Sequence, residues 1–341
     1  MAMAKTVLTA GAVEARRSES LMNDLPRQAN GRSWLGLSLM QVRTLLLGGQ
    51  PWVFRSDCGD RSGIVAYGVL RRGRASASLG LTLIKEIPEP GPFWDGLERV
   101  VSRLRVSNFW TEALGDPRPV IPSLTGEKTR YTDQEMFVVD LSRENLFAGF
   151  SSNHRRNVRK AAKSGVRLLS LPLEEAMSSH LTLIRSSLSR RLRRGERSWK
   201  NTNLERISTL VGGGHGALYQ AGRDRCVLSS KLVLDVGDSA FYESGGTSPD
   251  GMRIGASQLL MSEIIRDLAA RRFETLNLGM VPGEDAGLRR FKQGFAADPI
   301  KVDRVHAEIG TGWTRTVNAS MYVYRALGAK LGWGSGRSTR R

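Results

Sequence analysis

The sequence predicts an α/β fold in two domains, and three observations lead to this prediction. The chain has 341 residues, and at roughly 150 residues per domain this length is typical of two domains. Hydrophobic residues make up 40% and charged residues 25% of the chain, which indicates a globular protein and excludes a wholly disordered or fibrous one. Segments with helical periodicity and segments with strand character alternate in both halves.

The first half contains two predicted strands and a predicted helix. Gly63–Leu70 is an apolar run bounded by glycine and by an arginine-rich turn, which favours a strand. Phe93–Arg105 is predicted to be a helix because its apolar residues repeat at helical spacing. These residues share one face: Leu97, Val100, Val101 and Leu104. Met136–Leu141 is predicted to be a further strand.

The second half repeats this mixture without repeating the sequence. Cys226–Val236 and Ala240–Glu243 are separated by a Gly-Asp pair, which predicts a β-hairpin. The glycine-rich segment Gly245–Ala256 then opens a helix. Thr275–Met280 is the next predicted strand, and Gly287–Phe295 contains a short helix. The two halves therefore share an order of elements, as a duplicated α/β unit would.

Composition along the chain divides it into four segments. Residues 1–31 are rich in Ala, Ser, Arg and Asn and lack periodicity, so we predict a flexible arm. Residues 32–150 form the first predicted domain. Residues 151–325 form the second, with a basic helix at its start. Residues 326–341 are predicted to be a flexible tail.

Several classes of protein are excluded by the residue types. Two cysteines, Cys58 and Cys226, are too few for a disulfide scaffold or a cysteine-based zinc site. The four histidines are dispersed, so we expect no metal site. No apolar run approaches the ~20 residues of a membrane span. We therefore expect a cytoplasmic protein with reduced cysteines.

The net charge is large and positive. Lys and Arg number 51 against 33 Asp and Glu, which gives +18 at pH 7 and an isoelectric point near 10.7. Such a charge indicates a polyanionic partner, such as nucleic acid, a phosphate-rich ligand or an anionic membrane surface. The alternative explanation is that the proteome as a whole favours arginine, so that the charge reflects composition rather than a partner.

The basic residues are concentrated in one segment. Ser151–Lys200 contains 13 Lys and Arg against 3 Glu. Within it, the residues from Asn153 to Gly165 predict a helix that ends at the glycine. Five cations of this helix are spaced to follow a phosphate backbone: Arg155, Arg156, Arg159, Lys160 and Lys163. A solvated helix face is the alternative. A second cluster follows, and it can be a further phosphate contact or a loop: Arg185, Arg190, Arg191, Arg193, Arg194 and Arg197.

The loop Gly245–Ala256 is the strongest local signal for an anion site. It follows a strand and opens a helix, where free backbone N–H groups favour a phosphate or a developing oxyanion. Arg253 adds a cation to this loop. An ordinary strand–helix connection explains the glycines equally well.

Three stretches, in order, resemble the Fem family of aminoacyltransferases, which build the bridge peptides of peptidoglycan. The first is Val139–Ser142 followed by Ser151–Val166. The second is Gly255–Ile265, and the third is Leu276–Gly279 followed by Gly287–Phe295. The order and spacing of the three are similar to the family from about residue 33 to residue 305.

This resemblance implies a fold and a class of reaction. The fold is two tandem GNAT-type domains, each a mixed, mostly antiparallel sheet flanked by helices. The reaction is transfer of an acyl group to an amine. The donor is aminoacyl-tRNA in the peptidoglycan enzymes and acyl-CoA in GNAT enzymes proper, and neither is a permanently bound cofactor. The segment from Arg253 to Ala256 matches the CoA signature Arg/Gln-x-x-Gly-x-Gly/Ala only in part.

The resemblance also implies particular site residues. Lys292 matches a family lysine that lies near the reacting ester and phosphates, so we expect it to stabilise the oxyanion. A solvated helix lysine is the alternative. We predict that Arg253, Gly255, Phe291 and Tyr242 bind substrate, although Phe291 can equally be a core aromatic.

A proton acceptor for the attacking amine is harder to identify. Glu243, at the predicted hairpin, and Asp285, in the turn after the last strand of the motif, are the candidates. Both can also be surface carboxylates. A route in which the donor's own hydroxyl or phosphate relays the proton needs neither residue.

Three functions follow as hypotheses. The first is an aminoacyltransferase that moves an aminoacyl group from aminoacyl-tRNA to a small-molecule or peptide amine through a tetrahedral oxyanion. The second is an N-acyltransferase that uses acyl-CoA. The third is a non-catalytic module that binds RNA or another polyanion. In that case replacement of Lys292 would leave every activity intact.

Overall fold

The computed structural model describes the fold over these residues: 7–17, 48–57, 63–72, 77–83, 90–114, 130–193, 195, 204–236, 239–281 and 285–308. Its helices are α1 (Pro90–Arg103), α2 (Leu146–Gly149), α3 (Ser152–Lys163), α4 (Leu173–Arg193), α5 (Leu204–Gly212), α6 (Pro249–Ile254), α7 (Ala256–Ala270) and α8 (Ala286–Gln293).

The strands comprise six in the first part of the chain and seven in the second. The six are β1 (Val7–Ala10), β2 (Val13–Arg17), β3 (Gln50–Ser56), β4 (Gly63–Arg72), β5 (Ala77–Leu83) and β6 (Asn108–Leu114). The seven are β7 (Arg130–Asp140), β8 (Arg167–Leu168), β9 (Gly216–Arg223), β10 (Cys226–Val236), β11 (Ser239–Thr247), β12 (Thr275–Val281) and β13 (Asp298–Glu308).

All the described strands join in one hydrogen-bonded sheet. Its order is β1-β2-β3-β4-β5-β6-β13-β7-β12-β11-β10-β9-β8. Neighbours are antiparallel except for two parallel pairs, β5 with β6 and β11 with β12. The predicted mixed, mostly antiparallel sheet flanked by helices is therefore confirmed, and the sheets of the two halves meet edge to edge where β6 pairs with β13.

Each parallel pair is connected through helix. Parallel neighbours require a crossover connection, because the chain must return to the starting edge of the first strand. In the first half α1 makes this connection between β5 and β6, and in the second half α6 and α7 make it between β11 and β12. The predicted helix Phe93–Arg105 and the predicted β10–β11 hairpin are both present.

Two of the predicted boundaries differ from the structure. Residues 7–17 lie in the predicted flexible arm, yet they form the β1–β2 hairpin, which pairs with β3. Val13 and Ala15 alternate onto the buried face there, and α1 approaches so closely that a Cβ at Gly96 would lie 2.3 Å from the Ala10 carbonyl oxygen. The rest of the arm and the predicted tail 326–341 lie outside the described residues.

The second difference concerns the border at residue 150. We predict Met136–Leu141 in the first domain, but β7 lies between β13 and β12, among the strands of the second half. Phe137 and Val139 belong to the core of that half. Hydrogen-bonding and packing partners, rather than position along the chain, decide which sheet a strand joins.

Among the described residues, the three largest apolar clusters are one in each half and a third between the halves. The second-half cluster surrounds α7, whose inward residues include Leu260, Ile264 and Leu268. The third cluster joins both halves. It contains Val53, Tyr67 and Val69 from the first half with Leu181, Ile207, Leu210, Leu232, Leu234 and Phe241 from the second. The two halves are therefore packed together as well as paired through their strands.

Candidate active site

The β11 and β12 strands separate shortly after they meet. Their parallel ladder contains only three residue pairs and ends at Phe241 and Asn277, whereas β5 and β6 stay paired over six. Beyond that point the two strands no longer pair with each other. We call these two ends, Tyr242–Thr247 of β11 and Leu278–Val281 of β12, the fork. A fork in a parallel pair leaves backbone groups without a strand partner, which makes it a place where a ligand can bind.

A glycine redirects β12 at the fork. Gly279 has φ +80°, a left-handed conformation that glycine adopts at little cost, and its N–H donates to Asn277 Oδ1 at 2.7 Å. The pairing of β12 with β7 shifts by one residue at the same point. The result is a bulge that turns the carbonyls of Gly279 and Met280 toward one side chain.

That side chain is Lys292 of α8. Its Nζ donates to the carbonyl oxygens of Gly279 and Met280, each at 2.9 Å. Lys292 is 4% exposed, so the predicted alternative of a solvated helix lysine is wrong. An ammonium has three N–H donors, and one of them has no partner among the described residues.

Burial changes the acidity of Lys292. Desolvation lowers its pKa from 10.5 to about 7, the charge of Arg191 acts in the same direction, and the charge of Asp285 opposes both. A lysine of this pKa exchanges its proton near neutral pH, so it can both donate to an oxyanion and accept a proton.

A second buried lysine, Lys231, lies on β10, between β9 and β11, and is 2% exposed. Its Nζ donates to Ser257 Oγ at 3.0 Å and lies 5.2 Å from the centre of the Tyr242 ring and 5.7 Å from that of Phe291. Desolvation lowers the pKa of Lys231 to about 8. The three contacts come from α7, β11 and α8, so Lys231 connects the elements that surround the fork.

A second bulge, in β11, determines where Tyr242 points. The register with β10 shifts between Leu232–Ser244 and Val233–Tyr242, so Glu243 is the extra residue. Tyr242 therefore faces Lys231, while Ser244 faces the opposite side of the sheet and contacts His180 of α4. Burial raises the pKa of Tyr242 to about 12.

His180 lies in a polar cluster on the far side of the sheet. Its ring nitrogens contact Ser230 Oγ at 2.9 Å and Ser244 Oγ at 3.1 Å, and Gln220 Nε2 donates to the same Ser230 oxygen. Desolvation, with the charge of Lys231 as a second cause, lowers the pKa of His180 to about 4. The imidazole is therefore neutral near pH 7, and its two hydrogen bonds connect α4 to β10 and β11.

An aromatic cluster connects α8 to α3. Phe291 contacts Phe295 edge to face at 5.1 Å between ring centres, and His154 packs against both rings. His154 Nε2 lies 2.9 Å from the Phe291 carbonyl oxygen, and a Cβ at Gly294 would lie 2.3 Å from the imidazole. Phe295 is core, whereas Phe291 is half-buried between Lys231 and His154.

The predicted basic helix is present as α3, but its cations have different roles. Arg155 is half-buried, and its guanidinium donates to the Ala148 and Phe150 carbonyls at 2.6 Å each. Arg155 therefore has a structural role at the end of α2, and its contact with phosphate stays a prediction. The other four line an open depression of about 540 Å³ with Ser164: Arg156, Arg159, Lys160 and Lys163.

Within this depression, which we call the basic face, the cations are unequally paired. Arg156 donates to Asn153 Oδ1 and Lys160 to the Arg253 carbonyl oxygen, both at 2.9 Å. Arg159 and Lys163 are exposed and have no hydrogen-bond or ion-pair partner among the described residues. Arg194 and Arg197 of the second predicted cluster lie outside the described residues. Arg190 of that cluster donates to the Thr247 carbonyl oxygen at 2.7 Å.

Three further predicted site residues lie away from the fork or have other partners. Arg253 is exposed at the end of α6, paired with Asp250, and adjoins the basic face through Lys160. Gly255 is buried under α3, where a Cβ would lie 2.6 Å from the Asn157 carbonyl oxygen. Asp285 is the N-cap of α8 and accepts from the Leu288 N–H at 2.8 Å. Capping is a sufficient reason for that aspartate.

Of the predicted residues, the structure brings Lys292, Phe291, Tyr242 and Glu243 to the fork. Sequence reasoning missed Lys231 and Ser257. The signal for Lys231 was a lysine in the middle of the predicted strand Cys226–Val236, directly before an apolar Leu-Val-Leu run. Among the described residues no group of His, Cys, Asp and Glu could hold a metal ion, and no described helix is long and apolar enough to cross a membrane.

Comparisons with known proteins address the fold. Residues 148–293 match the acetyltransferase (GNAT) domain family. The crystal structure of FemX superposes with a TM-score of 0.54 at 10% identity, over 79% of this chain and 91% of that one. No curated protein sequence matches the chain.

Two further solved structures are similar at lower scores. L-PGS from Bacillus licheniformis has a TM-score of 0.47 at 11% identity, over 88% of this chain and 95% of that one. A tandem GNAT protein from the clavulanic acid biosynthesis pathway has a TM-score of 0.44 at 14% identity, over 78% and 84%. The predicted GNAT-type fold and its likeness to Fem proteins are confirmed, and the match to the acetyltransferase (GNAT) domain family covers residues 148–293.

Proposed function

We propose that the protein transfers an aminoacyl group from aminoacyl-tRNA to the amine of a small molecule or peptide. One observation carries the choice of donor: the backbone N–H of Gly255, in the partial CoA signature, already has a partner and lies under the basic helix α3. The Gly255 N–H already donates to the Gly251 carbonyl, and Gly255 itself is buried against Asn157 of α3. Backbone N–H groups bind phosphate only when they are free and exposed.

The same helix offers a different surface for phosphate. Arg159 and Lys163 project from the basic face without partners among the described residues, and the face is open to a ligand larger than a nucleotide. Exposed cations spaced along a helix suit the phosphodiester backbone of an RNA, and they bind it without reading bases. His154 connects this helix to α8, which carries Lys292.

The chemistry at the fork follows from one side chain. The acceptor amine attacks the ester carbonyl of the aminoacyl group, a C–N bond forms, and negative charge develops on the carbonyl oxygen. The third N–H of Lys292 is held for this oxyanion because the other two donate to the Gly279 and Met280 carbonyls. Collapse of the intermediate breaks the ester C–O bond, and the amine proton passes to the departing ribose oxygen.

The proton can take either of two routes. Glu243 lies at the β11 bulge beside Tyr242, so it is the carboxylate that we retain as the proton acceptor. Asp285 caps α8 and is not retained. A relay through the neighbouring ribose hydroxyl of the donor needs no protein carboxylate.

The test is a transfer assay with purified protein, charged tRNA and a panel of amines. Lys292→Met should lower the rate by about 100-fold or more, since one oxyanion donor is typically worth that much. Arg290→Met removes a cation from the exposed side of the same helix and should leave the rate within about twofold. Equal activity of Lys292→Met and the unaltered protein would reject the proposal.

Acyl-CoA is the second candidate donor, because residues 148–293 match an acetyltransferase domain. The same assay, with acetyl-CoA in place of charged tRNA, distinguishes the two candidate donors. Amide formation with acetyl-CoA and none with charged tRNA would favour it.

A further inference from the structure

The second buried lysine, Lys231, has too few partners for a charged group in the core. It lies in the middle of β10, opposite Tyr219 of β9 and Gly245 of β11. Ammonium groups are almost never fully buried unless an anion or several acceptors satisfy them. Among the described residues, no carboxylate pairs with Lys231. Only one of its three N–H donors makes a hydrogen bond there, to Ser257 Oγ.

The aromatic rings beside Lys231 contact its ammonium group but offer it no hydrogen-bond acceptor atom. The Tyr242 and Phe291 rings, at 5.2 and 5.7 Å, attract a cation through their faces. Both rings and Ser257 are only half-buried, so they connect Lys231 to the surface at the fork.

Two hydroxyl groups accompany this ammonium. Ser257 Oγ accepts a hydrogen bond from Lys231 Nζ and can donate its own hydroxyl hydrogen, and Tyr242 Oη has no hydrogen-bond partner among the described residues. The absence of a side chain at Gly245 makes room for the phenol, because a Cβ there would lie 2.5 Å from Tyr242 Oη and 3.2 Å from Lys231 Cγ. An ammonium and two hydroxyls make a set of donors suited to an anion.

The charged groups around the rings leave a small positive surplus. Arg191 acts electrostatically on both Tyr242 and Lys292, while Glu243 acts on Tyr242 and Asp285 on Lys292. With Lys231 this makes three cations against two carboxylates, which attracts an anion. A phosphate group has several acceptor oxygens, so it can accept from the ammonium and from both hydroxyls at once.

We propose that Lys231, with the hydroxyls of Ser257 and Tyr242, forms a phosphate-binding site at the fork. That the phosphate belongs to a substrate rests on the proposed function. It would come either from the 3′ end of the donor RNA or from a phosphorylated acceptor. The site is distinct from the basic face, which is exposed and lies on α3.

Ligand-induced thermal stabilisation tests the site without any transfer reaction. The measurement uses Arg159→Ala/Lys163→Ala protein, so that the basic face contributes little, and inorganic pyrophosphate at fixed ionic strength. Saturating pyrophosphate should raise the melting temperature by about 3 °C or more. Lys231→Met in the same background should abolish this rise and leave the melting temperature of the ligand-free protein unchanged or higher, because it removes an unpaired buried charge.

Control variants separate the site from general charge and from a folding role. Arg266→Met removes an exposed cation of α7 and should keep the full rise. If Lys231→Met fails to fold, Ser257→Ala and Tyr242→Phe take its place, and each should reduce the rise. An undiminished rise in the variants that fold, or a rise with acetate as large as that with pyrophosphate, would overturn the assignment.

Two further ligands identify the source of the phosphate. A CCA trinucleotide represents the donor end, and ADP represents a phosphorylated acceptor. A rise that depends on Lys231 with one of them supports the site and assigns its substrate, whereas no such rise with either would overturn the assignment of the phosphate to a substrate. Because no aminoacyl group is present, loss of transfer activity in the earlier assay and loss of binding here are independent results.

Discussion

At the residue scale, two lysines at the fork are held in different ways. Lys292 donates to two carbonyls that the Gly279 bulge turns toward it, whereas Lys231 has one hydroxyl and two aromatic faces. Desolvation is the largest cause of the lowered pKa in both. The carbonyls fix the position of Lys292, and a fixed position is what the proposed role as oxyanion donor requires.

The lowered pKa of Lys292 predicts how stability changes with pH. The pKa is about 7 in the folded protein and 10.5 in the unfolded chain, so between these values the unfolded chain binds more protons and the free energy of unfolding rises with pH. Lys292→Met should lack this rise. We expect the free energy of unfolding of the unaltered protein, relative to the variant, to increase by about 4 kcal/mol from pH 6.5 to pH 10.5.

Denaturant unfolding at a series of pH values measures this difference. The comparison at each pH cancels the contributions of other titrating groups. Arg290→Met, from the exposed side of α8, should track the unaltered protein across the range. If the difference in free energy of unfolding between Lys292→Met and the unaltered protein stayed constant with pH, Lys292 would have its ordinary pKa in the folded protein.

At the element scale, α3 has a buried side and an exposed, cationic side. Ser151 caps its first turn by accepting the His154 N–H, and Gly165, at φ +76°, follows its last turn as predicted. On one side His154 and Ala161 are buried against the domain. On the other side lies the basic face, so one amphipathic helix both covers Gly255 and presents cations.

We predict that the basic face binds RNA through its charge. Arg159→Ala/Lys163→Ala should weaken binding of tRNA and lower the slope of log affinity against log salt by about 2, because each cation that is removed leaves one phosphate without its neutralising partner. Filter binding or anisotropy over a range of salt concentrations gives this slope. The control, Arg225→Ala/Arg266→Ala, removes the same charge from other exposed positions, and an equal loss of affinity in both variants would show that only net charge matters.

At the scale of the whole molecule, the two halves form one folding unit. β13 pairs with β6 on one side and β7 on the other, which ties the end of the described chain to both halves. The shared cluster around Tyr67, Ile207 and Phe241 adds buried contacts between the halves. Phe241 is also the last paired residue of β11 before the fork, so this packing supports the site.

The shared cluster predicts a single unfolding transition. Leu210 is fully buried in it, so Leu210→Ala should lower the free energy of unfolding by about 2–5 kcal/mol. Calorimetry should show one transition, moved as a whole to lower temperature. Two transitions, of which only one moves, would show that the halves unfold separately.

The sequence by itself determined the elements and the class of fold. Local patterns such as the helical face of Phe93–Arg105 and the hairpin at β10–β11 depend on spacing and turn residues, which neighbours along the chain decide. The sequence also identified Lys292, through the resemblance of its motif. It did not show that Arg155, Gly255 and Asp285 have structural contacts, because residue type alone does not show whether a group already has a partner.

Only the tertiary structure decided which groups meet. The fork depends on where the β11–β12 ladder ends, the partners of Lys231 come from three separate elements, and β7 joins the strands of the second half. Residues 7–17 are ordered because β3 and α1 give them a surface to pack on. These features depend on contacts between residues far apart in the chain, and such contacts leave no periodic pattern for the sequence to show.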